Sequence, residues 1–166
     1  MQVCSQRPDF DPRIVAFHSD VCEFRKAEGM TSQQPVFSLE ELTGLQPGLG
    51  RLMPEIGARA AKLYYAAKAE NWPMAGFQLN EIRGLMLMGA FTRPKYEKDL
   101  KDFLDGVFTT VKTAILHEDF GEFEAAFNEA VKSANAFHGA YEKPYIVWKV
   151  PDSAPPDLDL TPRPKD

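Results

Sequence analysis

The sequence predicts an all-α protein, an antiparallel up-down-up-down four-helix bundle with an irregular N-terminal segment and an extended, proline-rich C-terminal tail. Three observations predict it. Across residues 48–142, apolar side chains recur at three- and four-residue steps in four successive stretches. Short turn signals separate those stretches, and helices joined by short connections pack most simply as antiparallel neighbours. No stretch alternates with period two between hairpin turns, which argues against a sheet.

Taken in order, residues 1–47 read as irregular, because Pro8, Pro12, Pro35 and Pro47 preclude long helices. One short helix over 11–26 is expected, its Ile14, Val15, Phe17, Val21 and Phe24 docking on the bundle. The first bundle helix carries Met53, Ile56, Ala60, Leu63, Tyr64 and Ala67 on one stripe. Asn71-Trp72-Pro73 ends it and starts the next, with Asn71 as N-cap and the proline where a missing N–H costs nothing. The second helix carries Met74, Phe77, Ile82, Leu85 and Met88 and stops near Gly89. Beyond Thr92-Arg93-Pro94, a third runs unbroken through Leu100, Phe103, Leu104, Val107, Phe108, Val111, Ala114 and Ile115. Asp119 opens the fourth, with Glu122 completing a capping box. Its stripe is Phe120, Phe123, Phe127, Ala130, Val131, Ala134, Phe137, His138 and Tyr141. Residues 143–166 hold six of the 13 prolines and should run extended over the bundle. Within them, Tyr145-Ile146-Val147-Trp148-Lys149-Val150 is too apolar for a free tail.

With 166 residues and 44% hydrophobic content, a single core of ordinary composition is expected. A net charge of −5 without a basic run argues against nucleic acid as a partner. No stretch approaches the length of apolar chain a membrane span needs. The N-terminus has Asp9, Asp11, Asp20 and Glu23 where a secretory signal needs an uninterrupted apolar stretch. The expected compartment is therefore the cytoplasm as the sequence stands, or the periplasm if an export signal is missing from this start. Cys4 and Cys22, with His18 four positions before Cys22, are three possible metal ligands in an irregular segment, and free thiols are the expectation there.

The chemically informative stretch is Ser133-Ala134-Asn135-Ala136-Phe137-His138. A Cys-x-x-Cys-His run attaches haem through two thioethers, with the histidine on iron. Here Ala134 and Phe137 stand in the cysteine positions and His138 is retained, so no thioether can form. His138 lies on the apolar stripe with Val131, Ala134 and Tyr141, aimed into the bundle or its rim. Two fates are open to it: a hydrogen bond to a backbone carbonyl or tyrosine, or ligation of a haem held without covalent links.

Two further runs carry a resemblance. Arg59-Ala60-Ala61-Lys62-Leu63-Tyr64-Tyr65-Ala66, followed by Glu70-Asn71-Trp72-Pro73-Met74-Ala75, resembles a bacterial family of four-helix-bundle c-type cytochromes, cytochrome c prime-like. In that family a Lys-Leu-aromatic-aromatic-Ala run leads through Gly-Asn-Trp into the second helix. The fourth helix carries Cys-Asn-x-Cys-His, and an apolar strand and a proline-rich tail follow. This chain keeps Asn135, His138, Ile146-Val147, Pro151, Pro155 and Pro156, and the resemblance spans 49–162. It departs at Ala134 and Phe137, and at Ala60, where many members carry histidine. The resemblance implies a degenerate member that has lost covalent haem, with Tyr64, Ala134 and Phe137 around the former haem pocket. Met53 lies near the start of the first helix and His138 near the end of the fourth, and these points share an end of an up-down-up-down bundle. The pair resembles the Met/His placement of b-type four-helix-bundle cytochromes, and both side chains are good haem ligands.

Other constellations are weaker. Met74, Met86 and Met88 with Met53 could suggest Cu(I), but Met86 and Met88 do not share a helix face, and core filling is the simpler reading. Glu81 suggests a buried ion pair with Lys62 or Arg59 rather than a general acid or base. His117 sits at a helix end where a partial charge suits the dipole. No phosphate loop, nucleophile elbow or His-Glu metal motif is present, so no enzyme activity is expected. Two readings follow. One is a haem-free, non-catalytic binding or interaction module, whose partner is a small apolar ligand or a protein, with a homodimer supported by an exposed Tyr64-Tyr65 pair. The other is a noncovalent haem electron-transfer protein using Met53 and His138.

Overall fold

The computed structural model describes residues 37–164, and within them the protein is all-helical, with no strand. The expected helix over 11–26 and the residues Cys4, His18 and Cys22 lie outside the described residues. The elements are α1 (Leu39–Leu45), α2 (Leu49–Lys68), α3 (Trp72–Thr92), a 3₁₀ turn (Pro94–Tyr96), α4 (Glu97–Asp105), α5 (Val107–His117) and α6 (Phe120–Ala140).

Helix α1 starts inside the stretch expected to be irregular. Ser38 and Glu41 form a capping box: the Glu41 N–H donates to Ser38 Oγ at 3.2 Å, and the Ser38 N–H donates to Glu41 Oε2 at 2.8 Å. Asn71 caps α3 as expected, its Oδ1 accepting the Met74 N–H at 3.2 Å. Asp119 caps α6 through the Glu122 N–H at 2.8 Å, but Glu122 does not close the box. Its carboxylate lies 2.8 Å from His117 Nδ1 instead, joining the ends of α5 and α6. The expected third helix is two. Gly106 separates α4 from α5, and a Cβ there would meet the Asp102 carbonyl oxygen at 3.0 Å.

Helix α2 packs along α3 and α5 along α6, while α4 touches α3, α5 and α6, and α2 touches α6. The core runs between them, with Leu63, Val111 and Phe123 fully buried. Ala66, Ala67 and Ala75 are also sealed from solvent, and their small volume lets α2 and α3 approach closely. At the far end of that pair Gly89 has the same role, since a Cβ there would lie 2.8 Å from Leu49 Cδ2. Tyr64 forms an aromatic cluster with α6, its ring 5.4 Å from Phe127, which is in turn 5.5 Å from Phe123. Each such buried ring contributes roughly 1.5–3 kcal/mol of transfer free energy.

Helix α3 continues past Gly89 to Thr92 and departs from the expected one-sided stripe. Ala75, Leu79, Ile82 and Met86 are buried, yet Phe77 and Met88 are 52% and 44% exposed and Phe91 is 85% exposed. The helix is apolar on both sides, and its outer side is uncovered among the described residues.

The chain after α6 is irregular and tied to the helices at several points. Asn71 Nδ2 donates to the carbonyls of Leu160 and Thr161, at 3.1 and 3.2 Å, and Leu160 is buried. Tyr65 Oη donates to the Pro151 carbonyl at 2.7 Å, and Lys62 pairs with Asp157 at 2.6 Å. Glu81 therefore does not meet Lys62. It lies 3.5 Å from Arg59, which also faces Glu55 at 2.8 Å, and Glu81 is 44% exposed, so the expected buried pair is a surface ion cluster.

Candidate functional site

The last turns of α6 carry Ala134, Asn135, Phe137 and His138, and the apolar stretch after the helix folds back beside them. Asn135 directs that return. Its Oδ1 accepts the Trp148 N–H at 2.7 Å, and its Nδ2 donates to the Trp148 carbonyl at 2.9 Å, so one side chain satisfies both backbone groups of a residue as a strand neighbour would. Three residues on, His138 Nδ1 lies 3.0 Å from the Ile146 carbonyl oxygen. Trp148 is thereby held over α2, where Gly57 leaves room for it; a Cβ at Gly57 would sit 2.8 Å from Trp148 Cζ2. Tyr145 and Val147 stay exposed, so the side chains of the stretch that pack on the core are Trp148 and Val150.

These contacts leave an open cleft of about 530 Å³ between the start of α2, the start of α4, the end of α6 and the returning chain. Its walls include Met53, Phe103, Ala134, Phe137, His138 and Trp148. The volume falls within the range of about 300–1,000 Å³ typical of small-molecule sites. Phe137 lines the cleft without closing it, its ring set edge-on against Phe103 at 6.4 Å. Phe127 belongs to a smaller, deeper space of about 70 Å³ that also borders Met53, Ala134 and His138.

Four of the five residues singled out from the sequence, Met53, Ala134, Phe137 and His138, thus line one cleft. Tyr64 does not. It is buried in the aromatic cluster beside α6, and its hydroxyl donates to Glu124 Oε1 at 2.6 Å. That bond to a carboxylate, with burial adding to it, pushes the Tyr64 pKa up to about 12. Nor is Tyr64-Tyr65 an exposed pair, since Tyr64 is buried and Tyr65 is held by the Pro151 carbonyl. Met74, Met86 and Met88 do not converge: Met86 is in the core and Met88 faces out.

The electrostatics of the cleft are set by residues the periodicity did not single out. Arg93, Asp99 and Lys143 line it with Tyr96 and Tyr141. Tyr141 Oη donates to Asp99 Oδ2 at 2.5 Å, and this bond raises the Tyr141 pKa. Lys95 lies over the Tyr96 and Tyr141 rings at 5.5 and 5.9 Å. Arg93 stands in the loop between two helical patterns, and that position was its only signal in the sequence.

His138 has the donor arrangement of a ligating histidine. A carbonyl can only accept, so Nδ1 carries the proton and a neutral ring keeps its lone pair on Nε2, to which no described residue is hydrogen-bonded. With Met53 on the same cleft, the residues present fit a haem held by a thioether and an imidazole. They also fit any apolar molecule of similar size. No protein-family model, curated protein or solved structure matches this chain. The cytochrome resemblance therefore rests on the sequence motifs alone.

Proposed function

We propose that this protein is a non-catalytic ligand-binding module, a cytochrome-like antiparallel four-helix bundle without covalent haem, in which α4 and α5 together form the third helix. The observation that carries the reading is the open apolar cleft of about 530 Å³ at the end of α6. A chain under no pressure to hold a ligand there would fill the space with its own side chains, because cores pack to crystal-like density. The ligand is a small, largely apolar molecule in contact with Met53, Phe103, Phe137 and Trp148. The test is binding of the dye 1-anilinonaphthalene-8-sulfonate to the native protein and to Ala134→Phe. Saturable binding that is lost in a folded Ala134→Phe variant supports the cleft. Equal binding by both proteins removes it.

A second reading is favoured by the hydrogen bond that fixes His138 Nδ1 and leaves Nε2 available. On this reading the cleft holds haem noncovalently, with Met53 and His138 as the residues that would bind iron, and the group supplies one-electron chemistry. Haemin titration followed by visible absorption decides it: a low-spin spectrum on reduction, lost in His138→Ala, is the expected result.

For the partner we propose a second copy of the chain. Phe77 and Phe91 lie seven residues on either side of Gly84 on the outer face of α3, and nothing lies within 4 Å of a Cβ built at Gly84. Two such helices meeting antiparallel about a two-fold axis at Gly84 set Phe77 against Phe91 of the partner subunit, a self-complementary arrangement. Among the described residues no helix is long and apolar enough to cross a membrane.

A further inference from the structure

The cleft has a chemical polarity that its apolar walls alone do not explain. At one side stands Arg93, half-buried, with its guanidinium fixed by two backbone carbonyls: Nη1 donates to Thr92 at 2.6 Å and Nη2 to Gln46 at 3.2 Å. Gly48 makes room for it, since a Cβ there would lie 3.0 Å from Nη2 and 3.2 Å from Nε. A guanidinium has five N–H donors, and these two bonds use two of them. Among the described residues no carboxylate forms an ion pair with Arg93, whereas Arg59 and Lys62, the other partly buried cations on the helices, each have one. Asp99, the one carboxylate lining the cleft, is engaged by the Tyr141 hydroxyl. Lys143 adds a second cation to the lining and has no ion-pair partner among the described residues.

A half-buried, immobilised cation beside an apolar surface loses hydration without a counter-ion in return, and such a charge is costly unless something pairs with it. A planar guanidinium with donors to spare matches a carboxylate, which it binds through two parallel N–H···O bonds. We propose that the ligand of this cleft is an amphipathic carboxylate, with its apolar body against Met53, Phe103, Phe137 and Trp148 and its carboxylate on Arg93. The inference rests on the ligand-binding reading of the cleft and specifies which class of molecule enters it. An acyl-chain acid and a carboxylated ring system share this chemistry, and two probe pairs separate them.

The experiment uses the full chain carrying Trp72→Phe, so that quenching of Trp148, which lines the cleft, reports binding. Dodecanoic acid is titrated against dodecanol, and haemin against haemin dimethyl ester, in Arg93 and Arg93→Gln backgrounds. In at least one pair the acid is expected to bind about tenfold or more tightly than its neutral counterpart, as charge-assisted hydrogen bonds imply. Arg93→Gln should abolish that difference by weakening the acid about tenfold more than its neutral counterpart, and circular dichroism shows that the variant is folded. The pair that behaves this way identifies the body of the ligand. Acid and neutral forms binding equally, or both weakened alike by Arg93→Gln, would overturn the anchor and leave the cleft reading standing. No quenching by any of the four would overturn both.

Discussion

At the residue scale, several side chains carry more than one task, and the tasks can be separated by substitution. Asn71 caps α3 with its oxygen and holds the tail with its nitrogen. Asn71→Asp keeps the capping oxygen but turns a second oxygen toward the Leu160 and Thr161 carbonyls. It should release the tail, read as faster proteolysis after residue 150, while α3 stays helical by circular dichroism. Tyr64 offers a pH test. Its folded pKa of about 12 exceeds the ordinary value of 10.0, so the bond to Glu124 contributes its full stability below pH 10. As pH rises from 10 to 12, the unfolded chain releases the phenolic proton first and that stability is lost. Denaturant midpoints should fall over this window in the native protein, and the fall should shrink in Tyr64→Phe. Asn71 was legible as a cap because its place before Trp72-Pro73 is a local signal. Its grip on Leu160, 89 positions away, leaves no trace in the sequence, since the partner is a backbone carbonyl that every residue type offers.

At the element scale, the helix ends are the least economical part of the design. Glu70, Glu118 and Glu142 each follow a helix and adopt φ of 60°, 54° and 58°, the left-handed conformation. The Asn71 N–H to Ala66 carbonyl bond and the Lys143 N–H to His138 carbonyl bond, both 2.8 Å, close the wrapped turns that require it. Glycine is the residue suited to this position, and a glutamate there also opposes the negative end of the helix dipole. Replacing Glu70 or Glu118 by glycine should raise stability by about 1 kcal/mol each, measured by urea denaturation. Gly57 is the opposite case. Gly57→Ala should displace Trp148 and destabilise the protein by about 1–3 kcal/mol, with a shift in Trp fluorescence. The helices α2, α3 and α6 were readable because a stripe repeating every 3.6 residues is a property of neighbouring residues alone. The break at Gly106 was not, since Leu100 to Ile115 keep that period across it and only packing decides whether a glycine bends the helix. Helix α1 is hard to read from the sequence despite the Ser38–Glu41 box, because Pro35 and Pro47 on either side outweigh a one-turn signal.

At the scale of the whole molecule, the outer face of α3, exposed among the described residues, and the open cleft are two features that a self-filled helical domain would lack. If α3 pairs with a second copy, Phe91→Asp should convert a dimer into a monomer in sedimentation velocity while the melting temperature of the dilute protein changes little. A native protein that sediments as a monomer at high concentration would rule the pairing out. The sequence by itself determined that the described residues are helical and where α2, α3 and α6 lie, and it offered Met53, Tyr64, Ala134, Phe137 and His138 as one site only as an expectation. It could do so because helical period and capping are local properties of neighbouring residues. Only the tertiary structure decided that the space between those residues stays open, that Tyr64 belongs to a different cluster, and that Arg93 stands beside the cleft. Those outcomes depend on how side chains from distant positions compete for the same volume and how a backbone carbonyl orients a charge. Neither is written in the spacing of any single stretch.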